Sequence, residues 1–281
     1  MKRLLVPTDF SPASDHALDF AILMADKLNA ELLLLHAYDF PNADPFDPAY
    51  IYGSSVVGPV DLDMDHRKWI DTQLEKYCKY AAKQSNKRIS CDYLSAAGVH
   101  IDELVSTLEN LDDSIVVMGT RGHNPRNNIL IGSNAARMIE RSPVPVIVVP
   151  RDAALAPLNE VVYASSLREG DIDPLKILMP ILKAFDANLH IVHIEKVIDR
   201  EDVDILEAYQ EIIQDQIDYP KIDFTLVSGD DVIDRVNEYA RDVNANMVVM
   251  LSERKGGLFH KSLSKEMLFH TQIPLMVFHH V

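Results

Sequence analysis

The pattern of apolar and polar positions over the first part of the chain predicts strand, helix and strand in that order. Residues 3–7 form a short apolar run, and Ser11-Pro12 then provides a helix N-cap with proline at the first helical position. The apolar residues of the following helix recur at spacings of four, three and four and form one face: Ala17, Ala21, Met24 and Leu28. Residues 31–37 (ELLLLHA) are a continuous apolar run of strand length. This pattern is typical of a βαβ unit with a buried parallel sheet.

The same pattern returns in the second half of the chain. Residues 30–37 (AELLLLHA) align with residues 187–194 (ANLHIVHI) at an offset of 157, and the same offset places Val6 on Tyr163. Two elements in one register indicate an internal duplication. His36 and His193 occupy matching strand-end positions, and we interpret both as structural histidines.

Further along the chain the offset between the two halves becomes smaller. Residues 98–102 align with residues 229–233 at an offset of 131, which is 26 less than the first offset. The difference predicts an insertion in the first half. Its place is most naturally residues 38–65, which are rich in Pro, Asp, Gly and Tyr, and we expect a long loop there before a helix over residues 69–83.

Each half ends in an apolar strand that is entered through proline, at residues 142–149 and 273–278. Proline suits an edge strand, and two such edges can pair with each other and cover both. We therefore predict an α/β protein of two tandem domains, residues 1–150 and 151–281, each an open, mostly parallel five-stranded sheet flanked by helices. The two halves would form an internal pseudo-dimer joined by a linker at residues 150–157, and a homodimer of whole chains is a further option.

A glycine-punctuated loop follows a predicted apolar strand of the first half. Gly119 and Gly122 are followed after nine residues by Gly132-Ser133-Asn134, where a helix is expected to begin. In open α/β sheets, ligands bind beyond the carboxyl ends of the strands. Glycine lets the backbone approach a phosphate, and a helix start presents unpaired N–H groups to an anion. The spacing favours a phosphate site, although turn geometry alone is an alternative reason for the glycines.

With these features the chain resembles the universal stress protein family in its tandem form, and specifically those members that bind ATP through a G-2x-G-9x-G-(S/T) motif. The resemblance rests on a first strand ending in Val6-Pro7-Thr8-Asp9, a second ending in His36-Ala37, the glycine loop, and the closing strand at residues 143–149. It implies Rossmann-like (HUP-type) domains and ATP, alone or with Mg²⁺, as the ligand.

By that resemblance Asp9 and the backbone near Ala37 meet the adenosine, residues 118–122 line the nucleotide, and residues 132–134 hold the phosphates. Arg121 lies within the loop, where it would neutralise phosphate charge. A role for Asp9 as a mere neighbour of the Ser11 N-cap is the alternative. The full set of expected site residues is Pro7, Thr8, Asp9, Ala37, Met118, Gly119, Arg121, Gly122, Gly132, Ser133 and Asn134.

The second half lacks the glycine motif at the matching positions. The offsets place Ser166, Leu251, Arg254, Lys261 and Ser262 where the first half has Asp9, Gly119, Gly122, Gly132 and Ser133. The segment ending in Lys261-Ser262 is not a P-loop, because His260 stands where that motif requires glycine. We expect one nucleotide site per chain.

Composition and charge exclude several classes of partner. The formal net charge of −16 opposes binding to nucleic acid or to an anionic membrane. Only two cysteines occur, Cys78 and Cys91, and their spacing indicates neither a disulfide framework nor a zinc–thiolate site. No signal peptide or membrane-spanning segment is recognisable, so we expect a cytoplasmic protein.

The function we expect is a stress-response sensor or adaptor that binds ATP without catalytic residues; its link to stress comes from the family resemblance alone. A slow ATP hydrolase or phosphotransferase is the first alternative, although Asp9 is the only acid that can be placed near the loop. The second is a metal or small-ligand site in the second half, suggested by four histidines whose spacing matches no metal motif: His260, His270, His279 and His280. No metal ligands are predicted.

Overall fold

The computed structural model describes residues 2–38, 59–85, 88–97, 113–120, 133–252 and 263–279. The strands within these ranges are β1 (Arg3–Pro7), β2 (Glu31–Tyr38), β3 (Cys91–Ala97), β4 (Ser114–Gly119), β5 (Val146–Val149), β6 (Glu160–Ala164), β7 (Asn188–Glu195), β8 (Ile222–Ser228), β9 (Met247–Ser252) and β10 (Leu275–His279). The helices are α1 (Pro12–Leu28), α2 (Pro59–Gln84), α3 (Ser133–Arg141), α4 (Ile172–Phe185), α5 (Arg200–Gln216), α6 (Val232–Asp242) and α7 (Leu263–His270), with a 3₁₀ turn at Glu169–Asp171.

All ten strands belong to one sheet in the order β3-β2-β1-β4-β5-β10-β9-β6-β7-β8. Strands within each half are parallel, and each half repeats the same order outward from its last strand. β5 and β10 pair antiparallel, with Met276 opposite Ile147. The expected mostly parallel α/β fold and the pairing of the two proline-entered strands are confirmed. The two five-stranded sheets are thereby fused into one.

Helices cover both faces of the sheet. α1, α2, α4 and α5 pack on one face in a single apolar core, and α3, α6 and α7 pack on the other. α1 shows how the sequence specifies such a helix: the Ser11 side chain caps its start, Asn29 ends it with a φ of 51°, and Phe20, Ala21 and Met24 are fully buried. Burying a large apolar side chain such as Phe20 contributes about 1.5–3 kcal/mol.

The backbone repeats the same unusual conformations in both halves. Three pairs of non-glycine residues have left-handed φ angles at offsets of 157, 157 and 131: Phe10 and Leu167, Asn29 and Asp186, Asp113 and Asn244. These are the offsets at which the sequence of the two halves aligns, so the aligned positions are equivalent in local structure.

The helix after the predicted loop begins earlier than the sequence predicts, and Tyr38, the first residue of that predicted loop, belongs to β2. α2 starts at Pro59, so residues 59–65, which were expected to be loop, are helical. Proline at the first helical position is favourable there because its missing N–H has no partner in a first turn. Residues 39–58 lie outside the described part of the chain.

The interpretation of the cysteines was wrong. Cys78 on α2 and Cys91 at the start of β3 form a disulfide, with Cα atoms 5.2 Å apart. Because α2 packs on β3, residues 13 positions apart in sequence meet across the helix–sheet interface. Sequence spacing alone does not report such a tertiary contact.

None of the helices in the described ranges is both long enough and apolar enough to span a bilayer.

Candidate functional site

The carboxyl ends of β1, β2 and β4 lie side by side at one edge of the sheet. β1 stands between β2 and β4, and the chain proceeds from β1 to β2 on one side and later to β4 on the other. The junction between β1 and β4 is thus a topological switch point, where open α/β sheets form a ligand crevice. The expected site residues Pro7, Thr8, Asp9, Ala37, Met118 and Gly119 all lie along this edge.

Thr8 fixes the turn between β1 and α1. Its backbone N–H donates to the Leu35 carbonyl at 2.9 Å, and its carbonyl accepts from His36 Nδ1 at 2.8 Å. Its buried hydroxyl donates to Ser14 Oγ at 3.1 Å and accepts from the Phe10 amide at 3.1 Å. With all these groups satisfied, Thr8 holds the turn rather than offering a free hydroxyl to a ligand.

His36 and His193 make the same contact in the two halves. His193 Nδ1 donates to the Ser165 carbonyl at 2.7 Å, as His36 does to Thr8. Ser165 also repeats the hydroxyl contact of Thr8, since it accepts from the Leu167 amide at 3.0 Å. The contacts agree with the structural role inferred for both histidines.

Asp9 is exposed and carries a stable negative charge. Burial acts to raise the pKa of its carboxyl, but hydrogen bonds from Ser11 and Ser14 outweigh that effect and lower the pKa below its ordinary value of 3.8. Its Oδ1 accepts from the Ser11 amide at 3.1 Å, so the expected alternative role beside the N-cap is present as well. An ionised carboxylate only accepts hydrogen bonds, so it suits a hydroxyl or amino group and not a phosphate.

Gly119 has a packing role that the sequence did not reveal. A Cβ at this position would lie 2.3 Å from the Ala13 carbonyl oxygen and 3.2 Å from the Ser14 amide nitrogen. The end of β4 therefore touches the first turn of α1, where only glycine fits without a shift of backbone. The sequence suggests turn geometry or a ligand as the reason for this glycine, whereas the structure supplies close packing against α1.

Ser133 opens α3, as the sequence predicts for a helix starting near Asn134. Asn134 is exposed, while Ala135, Met138 and Ile139 bury the opposite face of the helix. The N–H groups of a first helical turn have no intrahelical partner and favour an anion. Arg121, Gly122 and Gly132 lie outside the described residues.

A group of aromatic side chains beside the site was missed by the sequence reasoning. Phe10 has a φ of 60°, and its ring centroid is 4.5 Å from that of His36, 5.7 Å from that of Trp69 and 5.5 Å from that of Tyr77. The Tyr77 hydroxyl donates to Asp15 on α1. Burial and, next, this bond raise the pKa of Tyr77, which stays a donor at neutral pH. Trp69 and Tyr77 lie on α2, some 60 residues after Phe10 in the sequence. The one sequence signal that links them to each other is their position on the same predicted helix.

In the second half, a buried carboxylate lies at the equivalent strand end. Asp171 replaces Ser14 in the alignment and is only 2% exposed. Its Oδ2 accepts from Ser165 Oγ at 2.6 Å, from the Ser166 amide at 2.7 Å and from Ser166 Oγ at 3.0 Å. The second half thus has a buried carboxylate where the first half has the Ser14 hydroxyl. Lys261 and Ser262 lie outside the described residues.

Within the described ranges, no cluster of three or more His, Cys, Asp or Glu side chains has the geometry to hold a metal ion. His270 is exposed, and Nε2 of His279 contacts the Ile139 carbonyl. His260 and His280 are not among the described residues.

A family model and the curated relatives identify one family. The model of the "Universal stress protein family" matches residues 1–150. A universal stress protein of Methanocaldococcus jannaschii is 30% identical over 150 residues, which are 53% of this chain and 82% of that protein.

Two solved structures resemble the whole chain. A universal stress protein from Archaeoglobus fulgidus has a TM-score of 0.77 at 19% identity, with 99% of this chain and 98% of that chain covered. A putative universal stress protein from Pseudomonas aeruginosa has a TM-score of 0.63 at 12% identity, with coverages of 99% and 93%. At these identities the two structures show the shared fold.

Proposed function

Because the chain belongs to the universal stress protein family, we propose that its first half binds ATP at the carboxyl ends of β1, β2 and β4. The bound nucleotide acts as a regulatory ligand of a cytoplasmic stress-response sensor or adaptor. The observation that carries this proposal is the topological switch point between β1 and β4, where Asp9 and the close-packed Gly119 flank the start of α1.

The chemistry of the described residues fits the two ends of a nucleotide. The Asp9 carboxylate accepts hydrogen bonds and suits the hydroxyls of a ribose. The start of α3 at Ser133 suits a phosphate, because its first N–H groups and the helix dipole attract an anion. Gly119 at the end of β4, then Gly122 and Gly132-Ser133, follow one another with the spacing of the family's ATP motif.

The direct test is to denature the purified protein and identify any released nucleotide by chromatography. Calorimetric titration of the emptied protein with ATP, with and without Mg²⁺, then measures affinity and stoichiometry. We expect one ATP per chain, because the second half lacks the glycine motif at the matching positions. A protein that is isolated empty and does not bind added ATP would refute the proposal, and two equivalent sites would refute the stoichiometry.

Two substitutions distinguish an ATP site in the first half of the chain from one in the second half. Gly132→Val should abolish ATP binding by crowding the phosphate with a new side chain, whereas Lys261→Ala should leave the affinity nearly unchanged. Equal losses from both would contradict the assignment of the site to the first half.

A regulatory ligand is turned over slowly or not at all. Among the described residues at this edge, Asp9 is already bonded to Ser11, and hydrolysis needs a base aimed at the attacking water. We expect steady-state phosphate release far below about 1 per second, the low end for ordinary enzymes. Turnover at that rate or above would favour the hydrolase alternative.

A further inference from the structure

The chain's two cysteines are joined where a helix meets the sheet. Cys78 is on α2 and Cys91 is the first residue of β3, and both residues are half-buried at the border of the apolar core rather than enclosed in it. In the described residues β3 is an edge strand that pairs only with β2. The disulfide is therefore a covalent tie between α2 and the edge of the sheet, at a place that a small reductant can approach.

Tyr77, the residue next to this disulfide, contacts the turn and the helix start at the proposed nucleotide site. Tyr77 precedes Cys78, and its hydroxyl donates to Asp15 in the first turns of α1. Its ring lies against the ring of Phe10, with centroids 5.5 Å apart and planes at 73°. Phe10 directly follows Asp9 in the turn between β1 and α1. A change in the position of α2 at Cys78 thus acts on the turn that carries Asp9.

We propose that Cys78–Cys91 is a site of thiol–disulfide exchange with a cellular dithiol, and that its reduction weakens nucleotide binding at the first-half site. The coupling rests on the proposed ATP binding, whereas the exchange itself does not. A disulfide in a cytoplasmic protein is usually transient and redox-sensing, so such a role fits the proposed location.

The exchange is a two-electron reduction of the protein. A thiolate of the dithiol attacks one sulfur, the Sγ–Sγ bond breaks, and the other cysteine leaves as a thiolate that takes up a proton. The second thiol of the reductant then attacks the mixed disulfide and releases the first cysteine. Cys78 and Cys91 end as thiols, and the dithiol ends as a disulfide.

The test compares the oxidised and the dithiol-reduced full-length protein. Thiol counting without denaturant should find no free thiol before treatment with dithiothreitol and two after it. Calorimetry should then give an ATP affinity at least about 5-fold lower for the reduced form, the lower end of ordinary coupling between sites. By linkage, saturating ATP should raise the ratio of oxidised to reduced protein by the same factor in a fixed dithiol/disulfide buffer.

Each failure has its own meaning. If the folded protein yields no thiols with dithiothreitol, the exchange site is refuted. If both redox forms bind ATP with equal affinity, the coupling is refuted while the proposed function stands. If neither form binds ATP, the proposed function fails, and the coupling fails with it.

Two variants test the route. The double variant Cys78→Ser, Cys91→Ser should bind ATP as the reduced protein does and should not respond to dithiothreitol. Tyr77→Phe keeps the ring beside Phe10 but loses the bond to Asp15, so the affinity difference between its redox forms should shrink. An undiminished difference would refute transmission through the Tyr77 hydroxyl.

Discussion

At the end of β4, Gly119 lies against the backbone of the first turn of α1, and this contact predicts a loss of stability on substitution. In Gly119→Ala the new Cβ would lie 2.3 Å from the Ala13 carbonyl oxygen, so the backbone of α1 or β4 must move. We expect destabilisation of about 1–3 kcal/mol without any ligand, measured by thermal or urea unfolding.

Gly229→Ala is the matched control for this substitution. Its Cβ would meet the Arg235 side chain at 2.4 Å, and a partly exposed side chain can rotate away where a backbone cannot. A smaller loss is expected there. Equal losses at Gly119 and Gly229 would contradict the packing role of Gly119.

The charge of Asp9 predicts how nucleotide binding depends on pH. Its folded-state pKa lies below the ordinary value of 3.8, so its charge-dependent stabilisation is complete above that pH and is lost only as the pH falls through the folded value. Asp9→Asn should therefore lower ATP affinity by a similar factor at pH 5 and pH 8. That factor should be about 10-fold, as for one hydrogen bond to a charged group.

Calorimetry at the two pH values measures this effect. Asp19→Asn is the control, because Asp19 accepts a bond from Tyr80 and not from the turn that holds Asp9. An Asp9→Asn effect confined to one of the two pH values would mean that another titrating group is responsible.

Among the helices, α2 carries an intrinsic fluorescence probe close to the proposed site. Trp69 is the only tryptophan of the chain, is 52% exposed, and lies edge-on to Phe10 beside Asp9. ATP should therefore shift or quench the tryptophan fluorescence of the wild-type protein at the same midpoint as calorimetry, whereas Gly132→Val should show no change. If calorimetry detects ATP binding while the tryptophan fluorescence does not change, Trp69 on α2 does not lie near the bound nucleotide.

The arrangement of the elements followed from the sequence where local pattern decides it. The apolar periodicity of α1, the two histidines at strand ends and the proline before β5 and β10 each depend on a few neighbouring residues, and each prediction agrees with the structure. Contacts between distant segments did not follow, because spacing alone does not bring Cys78 to Cys91 or Gly119 to Ala13. The early start of α2 at Pro59 was missed because Pro, Asp and Gly nearby signalled a loop.

On the scale of the molecule, the join between β5 and β10 predicts the behaviour of the isolated first half. A chain of residues 1–150 would lack β10 and expose the β5 edge, whose residues Val146–Val149 are all buried in the whole protein. Two copies can restore the antiparallel pairing with β5 of each other, so we expect a dimer by size-exclusion chromatography with light scattering. A folded monomer at micromolar concentration would show that β10 is not needed to cover this edge.

Because β5 and β10 run in opposite directions, the strands of the two halves end on opposite rims of the sheet. A molecule that docks on the strand ends of the second half would approach from the side away from the nucleotide edge, so the two would not compete for space. Three contacts cross the join between the halves and could carry an influence of one on the other: the hydrogen-bonded β5–β10 pair, the packing of α1 on α4, and the packing of α3 on α7 on the opposite face. The fold thus allows the chain to hold two ligands back to back, on opposite rims of one continuous β-sheet.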